Sequence, residues 1–246
     1  MEEIRLNKFL SESGVCSRRE ADRMIEEGRI TVDGRRAVTG MRVRPDQEIK
    51  VGKKVISMER EEEVLLAVYK PAGVICTTDR REKRNIVDYV GYPVRIYPIG
   101  RLDKDSEGLI LMTNMGSLVN KMMRAANYHE KEYLVTVHKP VTDAFLERMA
   151  KGVRIRKEEK GEVLLDAMTR PCQVEKLGKC SFRIILTQGL NRQIRRMCEA
   201  LGYQVTHLKR VRVLNIELKG MRPGTWRRVT DRELKELLEL LRGSAG

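Results

Sequence analysis

The chain is short of the side chains that metal, disulfide and membrane chemistry require. Its 246 residues hold five cysteines and three histidines, all scattered. Cys16, Cys76, Cys172, Cys180 and Cys198 form no C-x-x-C pair and are odd in number. That argues against a disulfide framework and against a zinc site. No metal and no cofactor is expected, and a reducing cytoplasm suits the free thiols. An apolar run of membrane-spanning length is missing, so no span is expected. The first ten residues, MEEIRLNKFL, are acidic and lack the apolar stretch of a signal peptide. Aromatic residues make up only 4%, so Leu, Ile, Val and Met must fill the core.

Positive charge is what the chain has in excess. It carries 49 basic against 35 acidic residues, a net +14 with a pI near 9.7. Such an excess attracts polyanions, of which nucleic acid is the commonest and an anionic membrane surface the main rival. The rival needs a basic amphipathic helix with bulky aromatics, and no stretch supplies one. With 41% apolar residues the chain can build a core. Its length suits one large domain, or a medium domain with a small one.

Residues 1–60 read as the small one. Leu6, Phe9 and Leu10 sit at helical spacing. SRRE at 17–20 is a capping box, with Ser17 as cap and Glu20 reaching back. Ala21, Met24 and Ile25 continue an apolar stripe until Gly28 stops the helix. Asp33-Gly34 then predicts a type I′ hairpin between apolar strands. Arg18, Arg19 and Arg23 line the polar side of the helix, and Arg35 and Arg36 follow the turn. Alone, such arginines read as a solvated face. In this order, two short helices and a basic hairpin resemble the αL RNA-binding motif, a small domain of a ribosomal small-subunit protein and of several RNA-modifying enzymes. The segment has 14 basic and 11 acidic residues, so its affinity must come from arrangement.

MEREEE at 58–63 is an acidic break, and a second domain is expected over 64–246. Strands are expected in VLLAVYKPAG, at 109–113, 132–137, 181–187 and 211–218. Helices are expected at 115–124, 142–151, 191–201 and 231–241, the last opened by a capping box of Thr230 and Glu233. The elements mix without a regular βαβ rhythm, which predicts an α+β fold.

The stretch GRLDKDSEGLILMTN, 100–114, sets five charges just ahead of a greasy strand. It is either a solvated turn or a carboxylate held at the mouth of a core. Arg101, or Arg195 from elsewhere in the chain, could keep Asp103 ionised. An ionised carboxylate suits a nucleophile or a stabiliser of positive charge. Tyr133 shares a strand face with Val135 and Val137, as a core tyrosine or a pocket wall. In NRQIRRM, Ile194, Met197, Cys198 and Leu201 form the buried stripe, which leaves Arg192, Arg195 and Arg196 on other faces.

The whole string resembles the signature loop of the pseudouridine synthases, in the branch that acts on ribosomal RNA and carries an αL domain. YKPAG at 69–73, HEKEYLVTV at 129–137 and LTQGLNRQIRRMCEALGYQVTHLKRVRVLNIEL at 186–218 resemble its other motifs, in the same order. The resemblance implies a mixed, mainly antiparallel sheet flanked by helices in the second domain. It implies an isomerase that flips a uridine out of the stack, detaches the base and rejoins it through carbon five. Asp103 would be the catalytic residue, Tyr133 would stack on the uracil, and Arg195 would pair with Asp103. Lys70, Arg101, Lys104, Arg192, Arg196, Lys209 and Arg210 would join the five N-terminal arginines as RNA contacts. The implied substrate is large-subunit ribosomal RNA, at a stem-loop, with transfer RNA or small-subunit RNA as alternatives and a monomer as the working form. Whether the carboxylate attacks the sugar or assists glycal formation stays open. A reading from another class is a non-catalytic RNA-binding or ribosome-assembly factor.

Overall fold

The computed structural model describes residues 3–44, 46–56, 62–79, 81–124 and 128–243. Most of the expected acidic break at 58–63 therefore lies outside the described residues. The chain divides into two compact units. One holds residues up to Val64 with Pro93–Ile96 and Asn114–Gly116, and the other holds the rest.

In the first unit, β1 (Ile4–Arg5) leads into α1 (Leu6–Glu12) and α2 (Arg18–Glu26), followed by β2 (Ile30–Val32), β3 (Arg35–Arg36), β4 (Arg42–Val43), β5 (Ile49–Val51) and β6 (Lys54–Ile56). Ser17 caps α2 by accepting from the Glu20 amide at 3.1 Å. The other half of the expected capping box is replaced: the Glu20 carboxylate takes the Arg23 guanidinium one turn on. The helix stops in a Schellman motif. Gly28 adopts φ +71°, its amide donates to Ile25 O, and Arg29 N donates to Met24 O. Asp33 and Gly34 both have positive φ, 48° and 76°, the backbone of a type I′ turn. They join β2 to β3 in a four-stranded sheet of order β3-β2-β5-β6. Leu6, Phe9, Leu10, Ala21, Met24, Ile25, Ile30, Val32 and Ile49 form the unit's core.

The second unit contains β7 (Leu65–Lys70), α3 (Ile86–Val90), β8 (Tyr97–Ile99), β9 (Glu107–Thr113), α4 (Gly116–Met123), β10 (Lys131–Val137), α5 (Asp143–Lys151), β11 (Arg154–Glu159), β12 (Glu162–Met168), β13 (Gln173–Gly178), β14 (Ser181–Leu186), α6 (Gln193–Ala200), β15 (Val205–Val213), β16 (Ile216–Glu217), β17 (Trp226–Arg228) and α7 (Asp231–Leu240). A nine-stranded sheet runs β13-β14-β10-β15-β9-β7-β17, with β16 on β15 and β8 on β9. Only β15–β9 is parallel. The sheet is thus mixed and mainly antiparallel, and the fold is α+β. Strand β7 is buried at every residue, which is why it reads as a continuous apolar run.

The strand expected at 211–218 is displaced. It begins at Val205 and ends at Val213, because THLKR is charged on a strand that nevertheless runs through the sheet between β10 and β9. Helix α7 has the complete capping box of Thr230 and Glu233. Among the described residues, no helix is long and apolar enough to cross a membrane.

Candidate active site

The loop 100–106 is held from below by a buried lysine. Lys70 ends β7 with no exposed surface. Its ammonium donates to Ser106 O at 2.7 Å, Pro71 O at 2.9 Å and Lys104 O at 3.5 Å. A charged donor left unmatched there would be costly; three carbonyls satisfy it. Burial pushes its pKa below the ordinary lysine value. The loop closes on itself through Ser106 N to Asp103 O at 3.1 Å, and Gly73 N donates to Lys104 O at 2.7 Å. Lys70 was expected as an RNA contact; here it has no exposed surface, because the apolar strand that carries it ends inside the protein and the ammonium ties backbone together.

Past the loop, Gly108 lets two strands meet. Its φ is +110°, and a Cβ there would lie 2.2 Å from Arg210 O. Only glycine allows β9 to approach β15 in the parallel register Lys209↔Glu107, Arg210↔Gly108.

Two arginines of α6 face the loop's carboxylates. Arg192 caps the helix with φ +51°. It reaches Asp105 through both terminal nitrogens, at 3.1 and 3.2 Å, and lies 3.7 Å from Asp103. Arg195, one turn deeper, is buried. It contacts the Asp105 carboxylate at 3.3 Å and donates to Asp105 O and Ser106 Oγ, both at 3.2 Å. The expected Arg195–Asp103 ion pair is thus absent; Arg192 is the cation beside Asp103. The helix explains this, since Arg195 passes beneath the far end of the loop while Arg192 stands at its mouth. Burial pushes the Asp105 carboxyl up, but the Arg192 hydrogen bonds and the Arg195 and Arg192 charges prevail and hold it below the usual carboxylate range.

Asp103 opens into a cavity of about 290 Å³ whose lining includes Tyr133, Lys131, Arg101, Arg192 and Arg210. Its floor is one face of the sheet. Lys131, Tyr133, Val135 and Val137 alternate inward along β10. The neighbouring strand β15 carries one extra residue, because Glu132 pairs with Arg212 while Tyr133 pairs with Arg210. This β-bulge leaves Val211 without a partner on β10 and reverses the side-chain parity beyond it. Arg210 and Leu208 therefore join the cavity face instead of Lys209. Arg210 is 4% exposed and donates from Nε to Leu109 O at 2.7 Å. Like Lys70, it is too buried to meet a duplex backbone, and what it presents is the cavity wall.

Lys209 takes the opposite face, 4.9 Å above the Tyr69 ring. Arg196 is turned back on its own loop, donating to Asn191 O at 3.0 Å. Arg101 and Arg192 are exposed and line the cavity; Lys104 is exposed on the loop, and Arg18, Arg19, Arg23, Arg35 and Arg36 are exposed in the first unit. Of the latter, Arg36 donates to Glu26 O at 3.1 Å. Cys198 is fully buried, and burial pushes its thiol up to about 12. Among the described residues no three His, Cys, Asp or Glu side chains gather as a metal site. Sequence reasoning missed Lys131, although its place two residues before Tyr133 puts it on the same strand face. Asp105 reads from the sequence as solvent-facing or loop-fixing; its arginine partners do not, because they come from a helix that arrives almost ninety positions later.

A carboxylate, a tyrosine and several cations around one pocket suit electrostatic work on a bound, flipped-out ring. The comparisons agree. The family model described as RNA pseudouridylate synthase matches residues 64–200, and an S4 domain model matches 4–49. The dual-specificity RNA pseudouridine synthase RluF of Escherichia coli (strain K12) is 51% identical over 98% of this chain and 81% of its own length. The ribosomal large subunit pseudouridine synthase B of Bacillus subtilis is 36% identical, covering 96% of both chains. A crystal structure of a pseudouridylate synthase superposes with a TM-score of 0.67 at 26% identity, covering 95% of this chain and 99% of that one.

Proposed function

Because this chain belongs to the RNA pseudouridylate synthase family, we propose that it isomerises uridine to pseudouridine in large-subunit ribosomal RNA, at a stem-loop. It is an isomerase with an S4 RNA-binding domain. The substrate reading rests on the relatives' names and on the +14 charge. Residues 1–60 dock RNA through Arg18, Arg19, Arg23, Arg35 and Arg36, and 64–246 carry the chemistry. Arg101, Lys104 and Arg192, with Arg196 and Lys209 at a greater distance, meet phosphates around the flipped nucleotide. The RluF name, dual-specificity, makes transfer RNA a second candidate. The chain works as a monomer in a bacterial cytoplasm.

The observation that carries the mechanism is that Asp103 and Tyr133 line one cavity, with Arg192 3.7 Å from the carboxylate. Asp103 acts on the sugar carbon as the base leaves. Tyr133 supplies a ring for the uracil and a hydroxyl near its carbon five. Arg195 holds the loop from beneath through Asp105 and Ser106, so it positions Asp103 without pairing with it. The test is Asp103→Asn, which keeps the side-chain shape and removes the charge. RNA binding should persist while tritium release from carbon five of labelled uridine stops. Turnover by this variant would refute the role, and an inactive parent chain on ribosomal RNA would favour the assembly-factor reading.

A further inference from the structure

Two cations on the cavity floor have no anion to neutralise them. Arg210 is 4% exposed, and Lys131 donates to His129 O at 3.1 Å. Among the described residues, no carboxylate lies within 4.0 Å of either. Each also feels the other: burial first, and then the Arg210 charge, push the Lys131 pKa down to about 8. Arg210 is buried and Lys131 partly so; unpaired cations withdrawn from water are costly and are retained where an electron-rich group visits. The β-bulge that turns Arg210 inward points the same way, since bulges re-aim side chains beside sites.

The chemistry of the reaction supplies the visitor; this step rests on the pseudouridine reading. The N1–C1′ bond breaks with its electron pair left on N1. The detached uracil is then an anion, its charge spread over N1, O2 and O4. Carbon five bonds C1′, carbon five gives up its proton, and N1 regains one, so nothing is consumed. The anion forms on either route open to Asp103. The geometry points to Lys131 and Arg210 as the hole that stabilises the detached uracil anion through its carbonyl oxygens O2 and O4. They are catalytic residues in the sense that they face the reacting base. A phosphate is the poorer occupant of that floor. The exposed cations Arg101 and Arg192 stand at the mouth, where the backbone of a flipped nucleotide stays, whereas Tyr133 and Arg210 are opposite one another on paired strands at the bottom.

The test compares Lys131→Met and Lys131→Arg with the parent in single turnover at saturating stem-loop RNA. Two substrates are used, one with uridine and one with 5-fluorouridine at the target. Fluorine withdraws electrons and makes the base a better leaving anion, so it depends less on the hole. Loss of one such donor typically costs about 10²–10³-fold in rate. The Met variant should slow consumption of uridine about 10²-fold, slow 5-fluorouridine clearly less, and bind RNA within about threefold of the parent. The Arg variant should regain most of the rate. Arg210→Lys should give the same substrate pattern with the Leu109 contact weakened. Equal slowing on both substrates, an unchanged rate, or a loss appearing wholly in RNA affinity overturns the inference; the last outcome would make Lys131 a phosphate anchor. These results are read only against an active parent, so they stand apart from the Asp103 test.

Discussion

If Lys131 is held charged in a site with no counter-ion, removing it should stabilise the free protein. Burial and Arg210 lower its pKa to about 8, from an ordinary lysine value near 10.4. The sign follows from proton counting. Between about pH 8 and 10.4 the unfolded chain binds a proton that the folded chain has lost, so this group makes stability rise with pH there. Below about pH 8 the penalty is present in full. A shift of about two units or slightly more corresponds to about 3 kcal/mol, at 1.36 kcal/mol per unit. The variant also loses the donor to His129 O, worth roughly 1 kcal/mol. Lys131→Met should therefore raise the unfolding free energy by about 2 kcal/mol at pH 7, and Tm by roughly 4–8 °C for a chain of this size. The assay is denaturant unfolding of parent and variant from pH 7 to 10.5. The difference between them isolates this lysine from the thiols and tyrosine that titrate in the same range. The advantage should shrink steadily above pH 8. A difference independent of pH, or a destabilised variant at pH 7, would refute the picture of a partly buried uncompensated ammonium.

Other perturbations probe the scaffold around the site. Lys70→Met strips three carbonyls of their donor and should cost about 3 kcal/mol by denaturant unfolding, with turnover falling further as loop 100–106 loosens. Gly108→Ala places a methyl 2.2 Å from Arg210 O; a loss above about 3 kcal/mol is expected, and an unchanged midpoint would mean that β9 and β15 do not meet there. Glu233, hydrogen-bonded to Arg227 and to the cap of α7, has its pKa lowered to about 2. Its contribution is present above the unfolded value near 4.3 and is lost as pH falls toward 2, so Glu233→Gln should flatten the acid side of the stability curve. Arg195→Met should lower the rate at saturating RNA more than it weakens binding, because its contacts are with the loop; the reverse split would make it an RNA contact.

Much of the fold was legible because local rules set it. Ser17, Gly28 and Asp33-Gly34 made their cap, stop and turn as the residue types require, and the Thr230–Glu233 box opened the last helix. The buried run of β7 and the alternation around Tyr133 were equally readable, since burial on one or two faces leaves its period in the sequence. The resemblance of GRLDKDSEGLILMTN pointed to the loop that sits at the cavity mouth. What stayed illegible did so for a shared reason. Lys70, Arg195 and Arg210 are charged, and charge reads as surface unless the partners are known. Their partners are backbone carbonyls and a loop carboxylate brought from up to 101 positions away, and among the described residues no carboxylate pairs with Arg210.

The residues themselves dictated the two-part layout, the α+β class and the loop bearing Asp103, because helix caps, turn types and strand periods act over a few neighbours. Tertiary structure alone decided which guanidinium stands beside Asp103, that Asp105 binds two arginines, and that Arg210 instead of Lys209 looks into the cavity. One extra residue in β15 reverses which side of the sheet each following side chain occupies, and that register is set by the partner strand, which no local pattern records.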